Sequence, residues 1–309
     1  MLAILVLCLF VGCKGDAKEG SAAPKSAAAT STGFNGNAAY AYAKAQVDFG
    51  PRVPGSPAAK QAGDWIIRQM RARADTVIVQ SFTHTTADGK KLPLRNILAR
   101  FRPEMPERVL YVTHWDSRPV SESATTEAEK KMPVPGANDG ASGVGMFVAL
   151  GDVLKKTKPN VGVDLLFTDG EDYGQFGPPE VDVMIGAKYF ATHLPSPGYK
   201  PLFGVLWDMI GDKDLRIPYE MNSFQQAPEV VSRVWQTAVD LGHGDVFVQE
   251  SGGLITDDHI PLLNAGLRVI DVIDLTYPPH HTPQDTMDKI SAKSLATVGD
   301  VATALVTRR

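Results

Sequence analysis

The stretch GANDGASGVGMFVALGDVLKKTKPNVGVDLLFTDGED, residues 136–172, joins one predicted helix to one predicted strand, with acidic residues at their edges. Residues 142–155 predict a helix that begins after small residues, and residues 161–168 form the short apolar run of a buried strand. Asp139 precedes the helix in a glycine-rich loop, and the acidic pair at 171–172 follows the strand. A helix that leads into a buried strand is the repeating unit of an α/β sheet.

The same alternation of helices and strands extends along most of the sequence. This order favours the α/β class, with a twisted, mostly parallel mixed sheet flanked by helices. No internal repeat and no second linker interrupts it, so we expect a single domain. Helices are predicted over residues 38–49, 58–74, 142–155, 186–193, 227–241 and 291–307, and strands over 76–83, 94–101, 108–113, 161–168, 201–209 and 268–274.

The composition of the 309-residue chain limits the function classes open to it. It is 43% hydrophobic, which is enough for a large core, and its formal net charge is −4. We see no basic stripe and therefore expect no nucleic-acid partner. Both cysteines, Cys8 and Cys13, lie at the extreme N-terminus, so the folded body has no disulfide and no cysteine metal site.

The N-terminus reads as a targeting segment. Residues 1–12 carry a short apolar run that ends in FVGC and resembles a bacterial lipobox, in which Cys13 becomes the lipidated first residue. Residues 13–33 are rich in Ala, Ser, Gly and Lys and predict a flexible tether to a folded body over 34–309. We therefore expect a lipid-anchored protein of the bacterial cell envelope, facing the periplasm or the exterior. The alternative is a secreted protein.

A set of acidic and histidine residues follows apolar runs or lies in loops rich in glycine and proline. Open α/β sheets gather such residues at the carboxyl ends of their strands, where these proteins place their sites. Carboxylate and imidazole ligands without a thiol suit catalytic zinc. The members of the set are His114, Asp116, Asp139, Glu171, Asp172, Asp208 and His281.

Taken singly, most members of this set also have an ordinary structural explanation. Asp139 can cap a helix, the pair at 171–172 can form a solvated turn, and His281 can be an exposed loop residue. Asp208 is different, because it interrupts an apolar strand. A buried carboxylate without a partner is costly, so we expect Asp208 to face a metal or a hydrogen-bond donor.

The set as a whole resembles the zinc peptidases of the M28 family in order and local context. The motifs that carry the resemblance are HWDS, NDGASGVG, DGED, WDMIGD, DDHIPLLNAG and HHTPQDTMDKIS, and it covers residues 38–309. It implies that residues 34–309 are a zinc catalytic domain with the aminopeptidase-like fold. In the two-zinc pattern the ligands would be His114, Asp139 (bridging), Asp172, Asp208 and His281, with Glu171 as general base.

Three features resemble those of one branch of this family, the glutaminyl cyclases of the animal type. They are the segment Asp257-Asp258-His259-Ile260-Pro261, the position of Gly186, 14 residues after Asp172, and the LWDMIG strand and turn. The resemblance implies a zinc-dependent glutaminyl-peptide cyclotransferase that converts N-terminal Gln to pyroglutamate and releases ammonia. It implies one zinc, with two possible. The implied ligands are Asp139, Asp172 and His281. The implied catalytic residues are Glu171, as acid and base, with Asp208 and Asp257 as a hydrogen-bonding pair. His114 and Asp208 are candidates for a second site.

Two positions depart from the cyclase pattern. Asp172 stands where the second residue of the acidic pair is usually Glu, and His280 stands where a Trp usually precedes the ligand His. An M28-type zinc aminopeptidase is therefore the alternative, and a non-catalytic surface binding protein is a third. We expect peptide or protein N-termini as substrate, membrane contact only through a lipid anchor, and a monomer.

Overall fold

The strands form a six-stranded sheet and a separate two-stranded sheet. The six-stranded sheet has the order β1-β2-β4-β3-β5-β8, and β6 pairs with β7. The strands are β1 (Thr76–Thr85), β2 (Lys91–Phe101), β3 (Arg108–His114), β4 (Gly162–Thr168), β5 (Phe203–Asp208), β6 (Ile217–Tyr219), β7 (Phe247–Ser251) and β8 (Val269–Ile273). The helices are α1 (Gly36–Val47), α2 (Pro57–Arg71), α3 (Ala141–Lys156), α4 (Ile185–Thr192), α5 (Met221–Gln226), α6 (Pro228–Asp240), α7 (His259–Asn264) and α8 (Ala292–Thr307).

The centre of the sheet is parallel, and its outer part is antiparallel. Strand β3 runs parallel to β4 and β5, and β5 runs parallel to β8. The β1–β2 and β2–β4 pairs are antiparallel. Every residue of β3, β4 and β5 is buried, as expected of parallel strands covered on both faces. The mostly parallel mixed sheet predicted from the sequence is confirmed.

Alternate residues of the central strands pack into two different cores. Val109 and Tyr111 of β3 belong to a large core that also contains side chains of α1, α2, α3, α6 and α8. Leu110 and Val112 belong to a smaller core with α4 and α7. Because successive side chains of a strand point to opposite faces, these two cores lie on opposite sides of the sheet. Helices therefore flank both faces, as predicted.

The computed structural model describes residues 32–308. The predicted signal segment at 1–12 and nearly all of the predicted tether at 13–33 lie outside that range. The described residues belong to one compact unit. None of the helices in this part of the chain has both the length and the apolar character that a bilayer crossing requires.

The predicted helices and strands are all present, with boundaries that differ by at most three residues, as at α2, predicted to end at 74 and observed to end at Arg71. The sequence did not predict β6, β7, α5 and α7, nor the 3₁₀ turn Glu129–Lys131 between β3 and α3. These elements have three to six residues each. Such short segments carry less than two turns or a few alternations, too little for a periodic pattern.

Candidate metal centre

The carboxyl ends of the parallel strands bring the predicted site residues to one edge of the sheet. His114 ends β3, the acidic pair at 171–172 follows β4, and Asp208 ends β5. His281 lies in the loop after β8, and Asp139 lies just before α3. All of them are buried except His281, which is partly buried. The fold thus brings the residues predicted for the site together at one place.

Asp139 lies at the centre of the cluster and faces a histidine with each of its oxygens. Its Oδ1 lies 3.0 Å from Nε2 of His114, and its Oδ2 lies 3.6 Å from Nε2 of His281. His114 Nε2 also lies 3.1 Å from Oδ1 of Asp208, and His281 Nε2 lies 3.4 Å from Oδ1 of Asp172. Two groups of ligand atoms therefore share one carboxylate, the arrangement that a bridging ligand needs.

The donor atoms of the cluster fit a zinc ion. Ligand atoms of His114, Asp139 and Asp208 all lie within 4.8 Å of one another, and so do those of Asp139, His280 and His281. Oδ2 of Asp172 is buried and has no hydrogen-bond partner among residues 32–308. A buried carboxylate oxygen without a partner is costly unless a cation satisfies it. Imidazole nitrogen and carboxylate oxygen are ligands that zinc accepts.

The loop that carries Asp139 is held by close approach and by backbone hydrogen bonds. A Cβ atom on Gly140 would lie 2.8 Å from both Cε1 and the carbonyl oxygen of His114, so this position requires glycine. The carboxylate of Asp285 accepts the backbone N–H groups of Asn138 at 2.8 Å and Asp139 at 3.1 Å. Gly140 is the N-cap of α3, and Asp139 makes no side-chain cap. The helix-cap explanation of Asp139 is therefore wrong.

Two residues at the site have a left-handed backbone conformation, which residues other than glycine rarely adopt. His281 has a φ of +56°, and Met209, directly after Asp208, has a φ of +44°. Left-handed backbone in residues other than glycine carries strain and persists only where surrounding contacts enforce it. Both outliers adjoin the cluster, which indicates that the fold orients His281 and Asp208 at an energetic cost.

The acidic pair is buried rather than solvated, because Asp116 binds its backbone. The two carboxylate oxygens of Asp116 accept the N–H groups of Glu171 at 3.1 Å and Asp172 at 3.2 Å. Only 6% of Glu171 and 1% of Asp172 is exposed, which excludes a solvated acidic turn. Burial, followed by the charge of Asp257, raises the pKa of Glu171 well above its usual value. A raised pKa makes a carboxylate a better proton acceptor, which suits a general base.

Asp257 lies near the site but not in the predicted hydrogen-bonding pair. Among the described residues, Oδ2 of Asp257 has no hydrogen-bond partner, and its Oδ1 accepts the N–H of Asp258 at 2.5 Å. Asp208 Oδ1 instead accepts the N–H of Met209 at 2.8 Å and faces His114. Burial and then the charge of Asp208 raise the pKa of Asp257 well above its usual range. The charge of Asp208 thus acts on Asp257, and the described residues show no hydrogen bond between the two carboxyls.

The sequence predictions missed three residues that contact the site: Arg118, Glu122 and Asp285. Glu122 Oε1 lies 2.8 Å from Nδ1 of His281, and Arg118 donates to both Glu122 and Asp172. Asp285 orients the Asp139 loop. Arg118 and Glu122 lie in the long segment between β3 and α3, where no periodic pattern marks them. The sequence offered two hints. Arg118 directly follows the HWDS motif, and Asp285 is the last residue of the HHTPQD motif.

His280 occupies the position before His281 and packs against it. The two ring centroids are 3.7 Å apart. Burial, and then the charge of His281, lower the pKa of His280, which favours its neutral form. A neutral imidazole has a lone pair for a metal or a hydrogen-bond donor.

The fold of this chain is shared by a known zinc-dependent exopeptidase. The chain superposes on a Zn-dependent exopeptidase from Parabacteroides distasonis with a TM-score of 0.85 and 35% identity, covering 89% of this chain and 99% of that one. Fold and site thus define the class of zinc-dependent exopeptidase folds. The sequence profile of Peptidase family M28 matches residues 96–306, so the chain belongs to this family. Zinc is the metal that this membership implies.

Similar solved structures carry two different activities in their names. A Bacteroides thetaiotaomicron glutaminyl cyclase bound to N-acetylhistamine has a TM-score of 0.87 and 33% identity, covering 91% of this chain and 100% of that one. A Porphyromonas gingivalis glutaminyl cyclase has a TM-score of 0.85 and 36% identity over 88% and 98%. A leucine aminopeptidase precursor from Bacteroides thetaiotaomicron has a TM-score of 0.86 and 34% identity over 89% and 98%.

Curated relatives are more distant, and several are longer than this chain. The bovine glutaminyl-peptide cyclotransferase is 25% identical over 292 residues, 82% of this chain and 77% of its own length. The chain spans only 49% of Aminopeptidase YwaD from Bacillus subtilis and 39% of a Leptosphaeria maculans relative described as a zinc metalloprotease.

Proposed function

We propose that this protein is a zinc-dependent glutaminyl-peptide cyclotransferase, which closes an N-terminal Gln of a peptide to pyroglutamate and releases ammonia. The observation that carries the proposal is the segment at residues 257–261, which resembles the cyclase signature. Its first residue, Asp257, is buried, and its negative charge helps to raise the pKa of Glu171. The bacterial glutaminyl cyclases of similar fold support the same activity.

The proton chemistry of the proposal belongs to Glu171. Its carboxylate accepts a proton from the α-amine of the substrate as the amine nitrogen attacks Cδ, the side-chain amide carbon of the Gln. The new C–N bond closes the ring, and the old bond from Cδ to the amide nitrogen breaks. Glu171 then delivers its proton to the departing ammonia. One group serves as base and then as acid, and burial of Glu171 gives it the raised pKa that this exchange needs.

The metal would be held by Asp139, Asp172 and His281. Zinc bound there would polarise the side-chain amide carbonyl of the substrate Gln and stabilise negative charge on its oxygen. We propose one ion per chain, because His114 already satisfies Asp208 and one oxygen of Asp139 at the candidate second site. The reaction needs no activated water and therefore no second ion.

An M28-type aminopeptidase is the second candidate. The observation that favours it is Asp139, whose two oxygens face the two candidate metal groups as a bridging ligand would. In that reaction Glu171 would take a proton from a water molecule, which attacks the first peptide bond. The similar leucine aminopeptidase precursor supports this second candidate.

The experiment offers the zinc-loaded protein a Gln-initiated and a Leu-initiated peptide of otherwise identical sequence. The proposal expects ammonia release and a 17 Da loss from the first peptide, about the mass of ammonia, with the second left intact. Release of free amino acid from either peptide would instead establish the aminopeptidase. No turnover of either, together with less than one bound metal per chain, would favour a non-catalytic surface binding protein.

We further propose that the protein is a monomer, anchored to the bacterial cell envelope through a lipid on Cys13. The support is the sequence that ends in FVGC and the polar segment after it. Mass spectrometry of the N-terminal peptide from the native membrane fraction tests the anchor, and an unmodified Cys13 would contradict it. Light scattering of the body from residue 34 tests the oligomeric state.

A further inference from the structure

Arg118 lies between two loops of the metal centre and contacts a carboxylate in each. Its Nη1 donates to Oδ1 of Asp172 at 2.6 Å, and its Nε donates to Oε2 of Glu122 at 2.7 Å. Only 6% of the Arg118 side chain is exposed. A guanidinium is planar and rigid, so these two bonds fix the separation of the two carboxylates.

Glu122 extends this connection to His281. Its second oxygen, Oε1, lies 2.8 Å from Nδ1 of His281. The next residue, Ser123, donates its backbone N–H to the carbonyl oxygen of His281 at 3.2 Å. One short segment therefore holds His281 through both its ring and its strained backbone. With Nδ1 engaged, Nε2 is the ring atom turned toward Asp139 and Asp172.

The contacts form a closed ring of four side chains. It runs from Asp172 through Arg118 and Glu122 to His281, and it closes across the 3.4 Å between His281 Nε2 and Asp172 Oδ1. Arg118 occupies Oδ1 of Asp172, so the buried and unpartnered Oδ2 is the oxygen left for a metal. Asp172 is one methylene shorter than Glu, and a short ligand has less freedom to find the ion by itself.

We propose that Arg118 and Glu122 are positioning residues that jointly aim Asp172 and His281 at the metal and so set the zinc affinity of this site. This inference rests on the proposed zinc centre but not on the reaction that the centre performs. Partners in the outer shell fix the orientation of metal ligands, and their loss typically costs about 10- to 100-fold in metal affinity.

Zinc affinity of the full chain, measured by competition with a chromogenic chelator, tests the proposal without any peptide. Arg118→Lys keeps the charge but replaces the fork by one nitrogen, and Glu122→Ala removes the contact to His281. We expect each variant to lose affinity by about 10- to 100-fold. The double variant should lose less than the product of the two, since the pair acts as a unit. Glu122→Gln keeps an acceptor for His281 and should restore part of the loss.

Arg216→Lys is the matched control, because Arg216 pairs with Glu250 at 2.6 Å on the surface. Its zinc affinity should equal that of the parent. The visible absorption of the cobalt-loaded protein is a second readout, and it should shift in the Arg118 and Glu122 variants alone. Parental zinc affinity together with parental cobalt absorption in folded Glu122→Ala, a change at a half-exposed side chain, would overturn the proposal. The Gln-peptide assay fails or succeeds independently of this result.

Discussion

His114 shows how neighbours decide the role of a single residue. Burial by itself would lower the pKa of this imidazole, but the charge of Asp208 and hydrogen bonds to nearby carboxylates raise it well above 6.5. The protonated ring then compensates the charges of Asp139 and Asp208, which would otherwise repel each other in a buried site. The residue expected from the two-zinc pattern to bind a metal thus has a second way to satisfy the same carboxylates.

The zinc content of a His114→Asn variant tests this role. We expect one zinc per chain in both the parent and the variant, because the three proposed ligands remain. Elemental analysis after dialysis against metal-free buffer provides the measurement. Two ions in the parent and one in the variant would identify His114 as a ligand of a filled second site.

Glu171→Gln tests the proton-transfer group. Gln keeps the size of the side chain but cannot accept the proton of the attacking amine, so turnover should fall about 10²- to 10⁴-fold. Zinc content should not change, because Glu171 is not a proposed ligand. Ammonia release and metal analysis on the same sample give both numbers. Activity close to that of the parent would move the base to another residue.

Elements position this site by where they end. The strands β3, β4 and β5 end at neighbouring points because they are parallel, and their last residues supply or precede His114, Asp208 and the acidic pair. The loop before α3 adds Asp139 because Gly140 lets it pass close to His114. The buried strands could be predicted, because apolar runs in the sequence indicate them. The contacts between loops could not, because loops have no period that reports their partners.

Gly140→Ala tests the close approach of α3 to β3. The added Cβ would meet the carbonyl oxygen of His114 at 2.8 Å, so either the helix or the strand end must move. Overpacking of this kind costs about 1–3 kcal/mol, and we expect the free energy of unfolding to fall by that amount. Urea denaturation of the metal-free protein measures it. Gly244→Ala is the control, since its new Cβ would meet only a Val239 methyl at 3.3 Å. Equal stability of the two variants would contradict the packing argument.

The whole molecule concentrates buried carboxyl groups at one end of its sheet. Burial raises the pKa of Asp258 and of Asp285 to about 7, and it raises those of Glu171, Asp257 and Asp271 well above their usual values. The raised pKa values favour the protonated, neutral forms of these carboxyls in the metal-free protein. A bound divalent cation would favour the ionised forms of the carboxyls near it, which links metal binding to stability.

The pH dependence of stability follows from the sign of these shifts. A carboxyl whose folded pKa is raised stabilises the fold fully below its unfolded pKa, about 4, and loses that contribution as pH rises through about 7. The free energy of unfolding of the metal-free protein should therefore fall between about pH 4.5 and pH 7.5. Urea denaturation across this range measures the slope, and saturating zinc should flatten it.

Asp285→Asn provides the specific check on this slope. Its carboxyl titrates at about 7 in the folded protein, and an amide cannot titrate, so the variant should show a shallower slope than the parent. A slope equal to that of the parent would mean that Asp285 does not contribute to the pH dependence.

The sequence by itself determined the class of fold, the central strands and the identity of the residues that gather at the site. Apolar runs report burial, and acidic residues at their ends report an edge where polar groups collect. The tertiary structure alone decided which oxygen of Asp139 faces which histidine, that Asp208 pairs with His114 rather than with Asp257, and that Arg118 and Glu122 connect Asp172 to His281. These contacts join residues far apart in the chain, and their distances depend on how the loops pack. Local sequence patterns contain no record of that packing.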